Sequence, residues 1–166
     1  MAAVEAHKAH APKRVTCGVI TVSDTRTEAT DESGALLKRI LTDAGHALAF
    51  YAIVKDEASP ILDAVERALG ACDAILTNGG TGLSPRDVTI ETLEPKLDKV
   101  LPGFGELFRS LSYGEIGSAA MLSRALAGVY RGRLLFCLPG SPAAVELAAR
   151  SLVLPELGHA VGVMKG

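Results

Sequence analysis

Between Thr77 and Thr89 the chain reads TNGGTGLSPRDVT. Gly79, Gly80 and Gly82 share this stretch with the hydroxyls of Thr77, Thr81 and Ser84, the guanidinium of Arg86 and the carboxylate of Asp87. Glycine accepts positive φ and carries no Cβ, so the backbone of such a turn can approach a ligand closely. Successive bare N–H groups there form a concavity that suits anions, phosphate above all. An acid beside that loop points to a phosphate ester held together with a metal ion. The spacing is neither GxxxxGK[ST] nor GxGxxG, so neither a P-loop nor a dinucleotide fingerprint is present. A glycine-rich turn between strand and helix would account for the glycines alone. Their company with Thr, Arg and Asp favours a site.

Further chemistry-bearing residues follow other apolar runs: Ser23-Asp24, Asp56-Glu57 and Pro139-Gly140-Ser141-Pro142. If those runs are parallel strands, their carboxyl ends lie on one sheet edge and distant residues converge there. Asp24, Asp56 and Asp87 would then gather beside the glycine loop, and carboxylates completed by phosphate oxygens suit Mg²⁺. Each Asp taken singly reads as a turn or cap residue; the joint placement favours a site. The four His lie at 7 and 10 near the N-terminus, after Gly45, and at 159, which leaves no Ser/His/Asp or zinc arrangement. Glu106 reads as a solvated position on a helix whose apolar stripe is Phe104, Leu107, Phe108 and Leu111.

The elements that would position these residues are legible. Arg14–Val22 is β-branched and nearly all apolar, the pattern of a strand buried on both faces. Ser33 is the expected N-cap of a helix over Gly34–Ala44, stopped by Gly45. Ala47–Val54 is a second strand, and Ser59-Pro60 is expected to cap and open a helix whose face is Ile61, Leu62, Val65 and Leu69. Asp73–Leu76 is a third strand, delivering the glycine loop, and Ile90–Leu93 can start the next helix. Leu97–Leu101 is ambiguous. Leu122–Tyr130 and Arg133–Leu138 read as an antiparallel pair turning at Arg131-Gly132. Ala143–Leu154 is the last clear helix, with another turn over 155–160. The rhythm predicts an α/β three-layer sandwich: a mostly parallel central sheet, helices on both faces and a small antiparallel hairpin.

The 166 residues suit one domain, assigned to 14–166 after a flexible tail over 1–13. Hydrophobic residues reach 48% but aromatics only 4%, so the core is aliphatic and stacking on single-stranded nucleic acid is disfavoured. A net charge of -2 gives no bulk attraction to nucleic acid or anionic membrane. Cys17, Cys72 and Cys137 are scattered among apolar residues and read as reduced, buried thiols of a cytoplasmic protein. No apolar run reaches the length of a membrane span, and no signal peptide is evident.

TVSDTR (Thr21–Arg26), GGTGLSPRDVT (Gly79–Thr89), PGFGELFR (Pro102–Arg109), LSRALAG (Leu122–Gly128) and LPGSP (Leu138–Pro142) together resemble the MoaB/MogA family of molybdenum cofactor biosynthesis. The motifs keep that family's order from about Arg14 to the last helix, and the EIG and SRALAG segments look more like the MoaB branch. The resemblance implies Mg·ATP-dependent adenylylation of molybdopterin, giving adenylyl-molybdopterin and pyrophosphate. It further implies that Asp56 and Asp87 are the essential acids and hold Mg²⁺. Gly79, Gly80, Thr81, Gly82, Pro139, Gly140 and Ser141 would form the nucleotide-binding turns, and Ser23, Asp24, Glu106, Ser123 and Arg124 the molybdopterin-side contacts. Homotrimers or hexamers are expected on the same basis, with a molybdate-inserting MoeA-like protein as a further partner. The alternative on the same fold is a non-catalytic molybdopterin carrier or interaction module.

Overall fold

A computed structural model describes residues 11–166. Its elements are β1 (Thr16–Val22), α1 (Glu32–Asp43), β2 (Ala47–Val54), α2 (Ala58–Leu69), β3 (Ala74–Asn78), α3 (Thr89–Leu93), β4 (Lys99–Val100), α4 (Pro102–Ile116), β5 (Leu126–Tyr130), β6 (Arg133–Leu138), α5 (Pro142–Ala148) and α6 (Leu154–Lys165). Short 3₁₀ turns occupy Glu94–Lys96 and Gly117–Leu122, and a π-turn over Ala149–Val153 joins α5 to α6.

The sheet order is β2-β1-β3-β6-β5-β4. β2, β1, β3 and β6 pair in parallel, and β5 pairs antiparallel with both β6 and β4. Alternation along the buried strands divides the core. Val19, Ala74, Leu76, Leu134 and Phe136 face a cluster with α1, α4, α5 and α6, while Ile20, Ile75, Leu135 and Cys137 face a cluster with α2 and α3. This is the expected three-layer α/β arrangement. Each fully buried Leu or Ile contributes about 1.5–3 kcal/mol relative to exposure, so an aliphatic core of this extent suffices without Trp.

Local chemistry explains most boundaries. Gly45 ends α1 at φ 87°, and Arg131 and Gly132 both take positive φ (48° and 70°), the pattern of a tight hairpin turn matched to strand twist. Several expectations change. Asp31, not Ser33, caps α1, accepting from the Gly34 N–H at 2.9 Å. α2 starts after Glu57, which makes no side-chain cap bond, with Ser59 and Pro60 inside its first turn. Leu122 belongs to the 3₁₀ turn, so β5 begins only at Leu126. The helix expected to end at Leu154 runs on to Lys165, because Pro155 falls in the first turn of α6, where a missing N–H costs little. The Phe104–Leu111 stripe divides: Phe104 and Phe108 enter the core, whereas Leu107 is 57% exposed. Of the tail assigned to residues 1–13, positions 1–10 lie outside the described residues. Pro12 lies against α6, its carbonyl oxygen standing where a Cβ at Gly158 would be.

The opposite end of the sheet carries a pH-sensitive contact. The Val15 N–H donates to His46 Nδ1 at 3.2 Å, which needs a neutral ring, and partial burial lowers the His46 pKa below the ordinary histidine range. The unfolded chain therefore binds this proton more readily, and the contact's stabilisation is present above pH 6.5 and lost as pH falls below it. Urea unfolding of wild type and His46→Gln should show a stability gap in favour of wild type at pH 7.5 that narrows at pH 5.5. A gap independent of pH would contradict this assignment.

Candidate active site

The strand order reverses at β1: the chain passes to β2 on one side, then crosses back through α2 to β3 on the other. Open α/β sheets form their ligand crevice at such a point, beyond the carboxyl ends of the strands. Here the ends of β1, β3 and β6 line a cleft of about 200 Å³ that includes Ser23, Arg26, Ser33, Asn78, Gly79 and Gly140. A second cleft, of about 340 Å³, is lined by Gly79–Gly82, Asp87, Ser123, Arg124, Pro139 and Gly140. Gly79 and Gly140 form the ridge between them, close enough that a Cβ at Gly140 would lie 3.1 Å from Gly79 Cα.

The glycine loop is fastened at both ends. Gly79 and Gly80 take φ 95° and 64°. The Gly79 N–H donates to the Leu138 carbonyl at 3.1 Å, and the Thr89 N–H closes the loop onto the Gly80 carbonyl at 2.9 Å. The Thr89 hydroxyl adds a 3.0 Å bond to the Gly79 carbonyl. Between these fastenings, no described residue accepts from the backbone N–H groups of Gly80, Thr81, Gly82 or Leu83. Such a run of free donors is the anion-binding concavity anticipated from the glycines. Thr77 takes no part, being fully buried in β3 in register with Ile20 and Cys137.

The three Asp residues converge, with different roles. Asp24 pairs with Arg86, whose Nε donates to Oδ2 at 3.1 Å, and its Oδ1 accepts from the Asp56 N–H at 3.2 Å. The Arg86 guanidinium, then the Asp56 amide, hold the Asp24 carboxyl below the usual carboxylate range. Asp56 faces the loop, and a Cβ at Gly80 would stand 2.8 Å from its Oδ1. Burial first, then repulsion from Asp87 and Asp24, raises the Asp56 carboxyl above the usual range, against a 3.4 Å bond from the Val88 N–H. Asp87 accepts from the Ser84 N–H at 3.1 Å, and a Cβ at Gly82 would stand 2.7 Å from its Oδ2. Asp24 is thus neutralised, whereas Asp56 and Asp87 border the loop with incompletely balanced charge. Among the described residues no group of three or more His, Cys, Asp or Glu is placed to hold a metal ion. Two carboxylates beside free amides fit a hard cation whose other ligands are phosphate oxygens and water.

The remaining expected residues are distributed as follows. The Ser23 hydroxyl accepts from its own turn, from the Thr25 and Arg26 N–H groups at 3.2 and 3.1 Å. Ser141 caps α5 by accepting from the Ala144 N–H at 3.2 Å. Pro139 and Gly140 line the second cleft with Ser123. Arg124 spends its donors on the loop carbonyls of Thr81 and Gly82 and on Glu91. Glu106 is exposed near the start of α4 and lines neither cleft.

Sequence reading passed over a buried chain behind the first cleft. Asn78 donates to the Thr21 hydroxyl at 3.0 Å, and Thr21 and Tyr51 each donate to Asp31 Oδ2 at 2.7 Å. With Asp31 also capping α1, this chain fixes the helix start against the ends of β1 and β3. Ser33 adds a 2.7 Å bond to the Gly140 carbonyl. The only signal available was polar Asn78 ending an apolar strand.

The fold recurs among known proteins. The family model described as "Probable molybdopterin binding domain" matches residues 18–159. Molybdenum cofactor biosynthesis protein B of Bacillus cereus is 54% identical over 159 residues, covering 94% of each chain. A crystal structure of a molybdenum cofactor biosynthesis protein B superposes with TM-score 0.90 at 52% identity, over 94% of this chain and 99% of the other. The tungsten cofactor synthesizing protein MoaB from Pyrococcus furiosus superposes with TM-score 0.87 at 39% identity, over 94% and 100%. The chain belongs to the MoaB/MogA family of molybdenum cofactor biosynthesis proteins.

Proposed function

We propose that this protein transfers the adenylyl group of ATP to molybdopterin. The observation that carries the proposal is the run of free amides from Gly80 to Leu83 with Asp56 and Asp87 on its border. An oxygen of the molybdopterin terminal phosphate bonds to the α-phosphorus of ATP, and the bond from that phosphorus to the bridging oxygen of pyrophosphate breaks. The nucleophile is already anionic, so the chain needs no general base. The barrier lies in bringing two anions together and in the charge of the departing pyrophosphate. The loop amides bind phosphate oxygens with fixed dipoles that need no reorganisation. Asp56 and Asp87 would hold Mg²⁺, which when bound screens phosphate charge and aligns the reacting groups. Arg86, tied to Asp24, steadies the outer wall of the loop. The pterin would occupy the crevice on the other side of the Gly79–Gly140 ridge.

Thermal unfolding with Mg·ATP separates this reading from a molybdopterin carrier. A ligand at 100 times its Kd stabilises the folded state by about 2.7 kcal/mol, worth roughly 5–10 °C in a chain this size. A rise of that order is expected with Mg·ATP; a rise with molybdopterin and none with Mg·ATP would favour the carrier.

Self-association belongs to the same proposal. Leu107, Ile116, Met121 and Leu122 are exposed along α4 and the turn after it, with Met121 at 79%. An apolar surface of this kind is what an assembled trimer or hexamer would cover. Light scattering at micromolar concentration should report three or six chains, and a monomer would contradict it.

A further inference from the structure

We propose that Arg124 and Glu91 form a clamp that sets the conformation of the glycine loop, so that Arg124 positions the phosphate site without contacting substrate. The inference rests on the phosphate-binding reading of that loop. Arg124 Nε donates to the Thr81 carbonyl at 2.8 Å and Nη2 to the Gly82 carbonyl at 2.9 Å. The remaining edge of the guanidinium meets the Glu91 carboxylate, Nη1 at 2.5 Å and Nη2 at 3.2 Å. Each of its three nitrogens is thus engaged within the protein, and its charge is matched by Glu91. One residue preceding β5 thereby ties two consecutive loop carbonyls to a side chain of α3.

The peptide bond supplies the consequence. In a trans peptide the carbonyl and the N–H of the next residue point in opposite directions. Fastening the Thr81 and Gly82 carbonyls to Arg124 turns the Gly82 and Leu83 N–H groups away from the cation. Those are two of the four loop amides that have no partner among the described residues. A flexible glycine turn would otherwise pay ordering entropy on meeting the anion. The planar guanidinium fork serves two carbonyls and a carboxylate at once, which a lysine ammonium does not match.

The test compares Arg124→Lys, Arg124→Gln and Glu91→Gln as full-length proteins, by Mg·ATP titration and steady-state kinetics. Losing charge-assisted bonds to the loop is expected to raise KM for ATP about tenfold in both Arg124 variants, with kcat little changed. Glu91→Gln should raise it less but in the same direction. Glu91→Gln/Arg124→Gln should be no worse than Arg124→Gln. A direct substrate contact predicts the reverse: Arg124→Lys keeps most of the affinity, and Glu91→Gln, by freeing the cation, tightens ATP. Either result overturns the clamp, as does a fall in kcat at unchanged KM, which reports a group acting in the transition state rather than on ATP binding. If wild type does not bind Mg·ATP, the proposed reaction fails, and the clamp is then judged by trypsin cleavage after exposed Arg86. Faster cleavage in Glu91→Gln at unchanged Tm supports it, and equal rates overturn it.

Discussion

Asp56→Asn and Asp87→Asn are each expected to lower adenylyl-molybdopterin formation by roughly a hundredfold or more, the scale seen when one preorganised electrostatic group is removed from a reaction centre. Asn keeps the shape and much of the hydrogen bonding, so the fold survives. The double variant should be little worse than the worse single variant, because both acids serve one cation and groups acting as a unit are not additive. Molybdopterin binding should persist. Asp56 carries a second expectation from its raised pKa. A carboxyl that titrates higher in the fold than in the unfolded chain has its ionised form disfavoured on folding, and that form prevails at pH 7. Removing the charge should therefore raise the Tm of Asp56→Asn at neutral pH in the absence of nucleotide. Near-normal turnover in either Asn variant at low Mg²⁺ would refute the shared metal role, and loss of pterin binding in both would move these acids to the pterin pocket.

Gly79→Ala should be the most damaging single-methyl change in the chain. Its φ of 95° lies where L residues carry strain, and the new Cβ would overlap the Val22 carbonyl oxygen, a backbone atom of the adjoining strand. Strain of about 1–3 kcal/mol plus a displaced strand end gives a loss near 3 kcal/mol, or roughly 6–12 °C in Tm. Gly70→Ala is the matched control, since Gly70 has φ -71° and its added Cβ meets nothing within 4 Å. Its Tm should change little or rise slightly. Unfolding scans giving the two variants the same Tm would contradict the reading of the Gly79 turn.

The sequence resolved what depends on local pattern. β2 and β6 fall at Ala47–Val54 and Arg133–Leu138 as read, because both are unbroken apolar runs, β6 buried within the sheet and β2 half-buried at its edge. The convergence of Asp24, Asp56 and Asp87 followed from reading their strands as parallel, with carboxyl ends on one sheet edge. What escaped was decided by distant partners. Ser33 resembles an N-cap, yet its hydroxyl goes to Gly140, 107 residues away, and Asp31 takes the cap. Leu107 and Phe108 are adjacent in one apolar stripe, but the single face that α4 turns to the sheet admits only Phe108. Arg124 offers every attribute of an anion ligand, and only the positions of Thr81, Gly82 and Glu91 show its donors already engaged. Spacing records which residues can meet; it does not record which of several donors and acceptors a side chain chooses.

The most direct measurement is pyrophosphate release from Mg·ATP by purified protein, with and without molybdopterin. Adenylyl transfer predicts pyrophosphate formed only when molybdopterin is present, one equivalent for each adenylyl-molybdopterin, and lowered roughly a hundredfold or more by Asp87→Asn. Tight molybdopterin binding with no pyrophosphate at saturating Mg·ATP would contradict it.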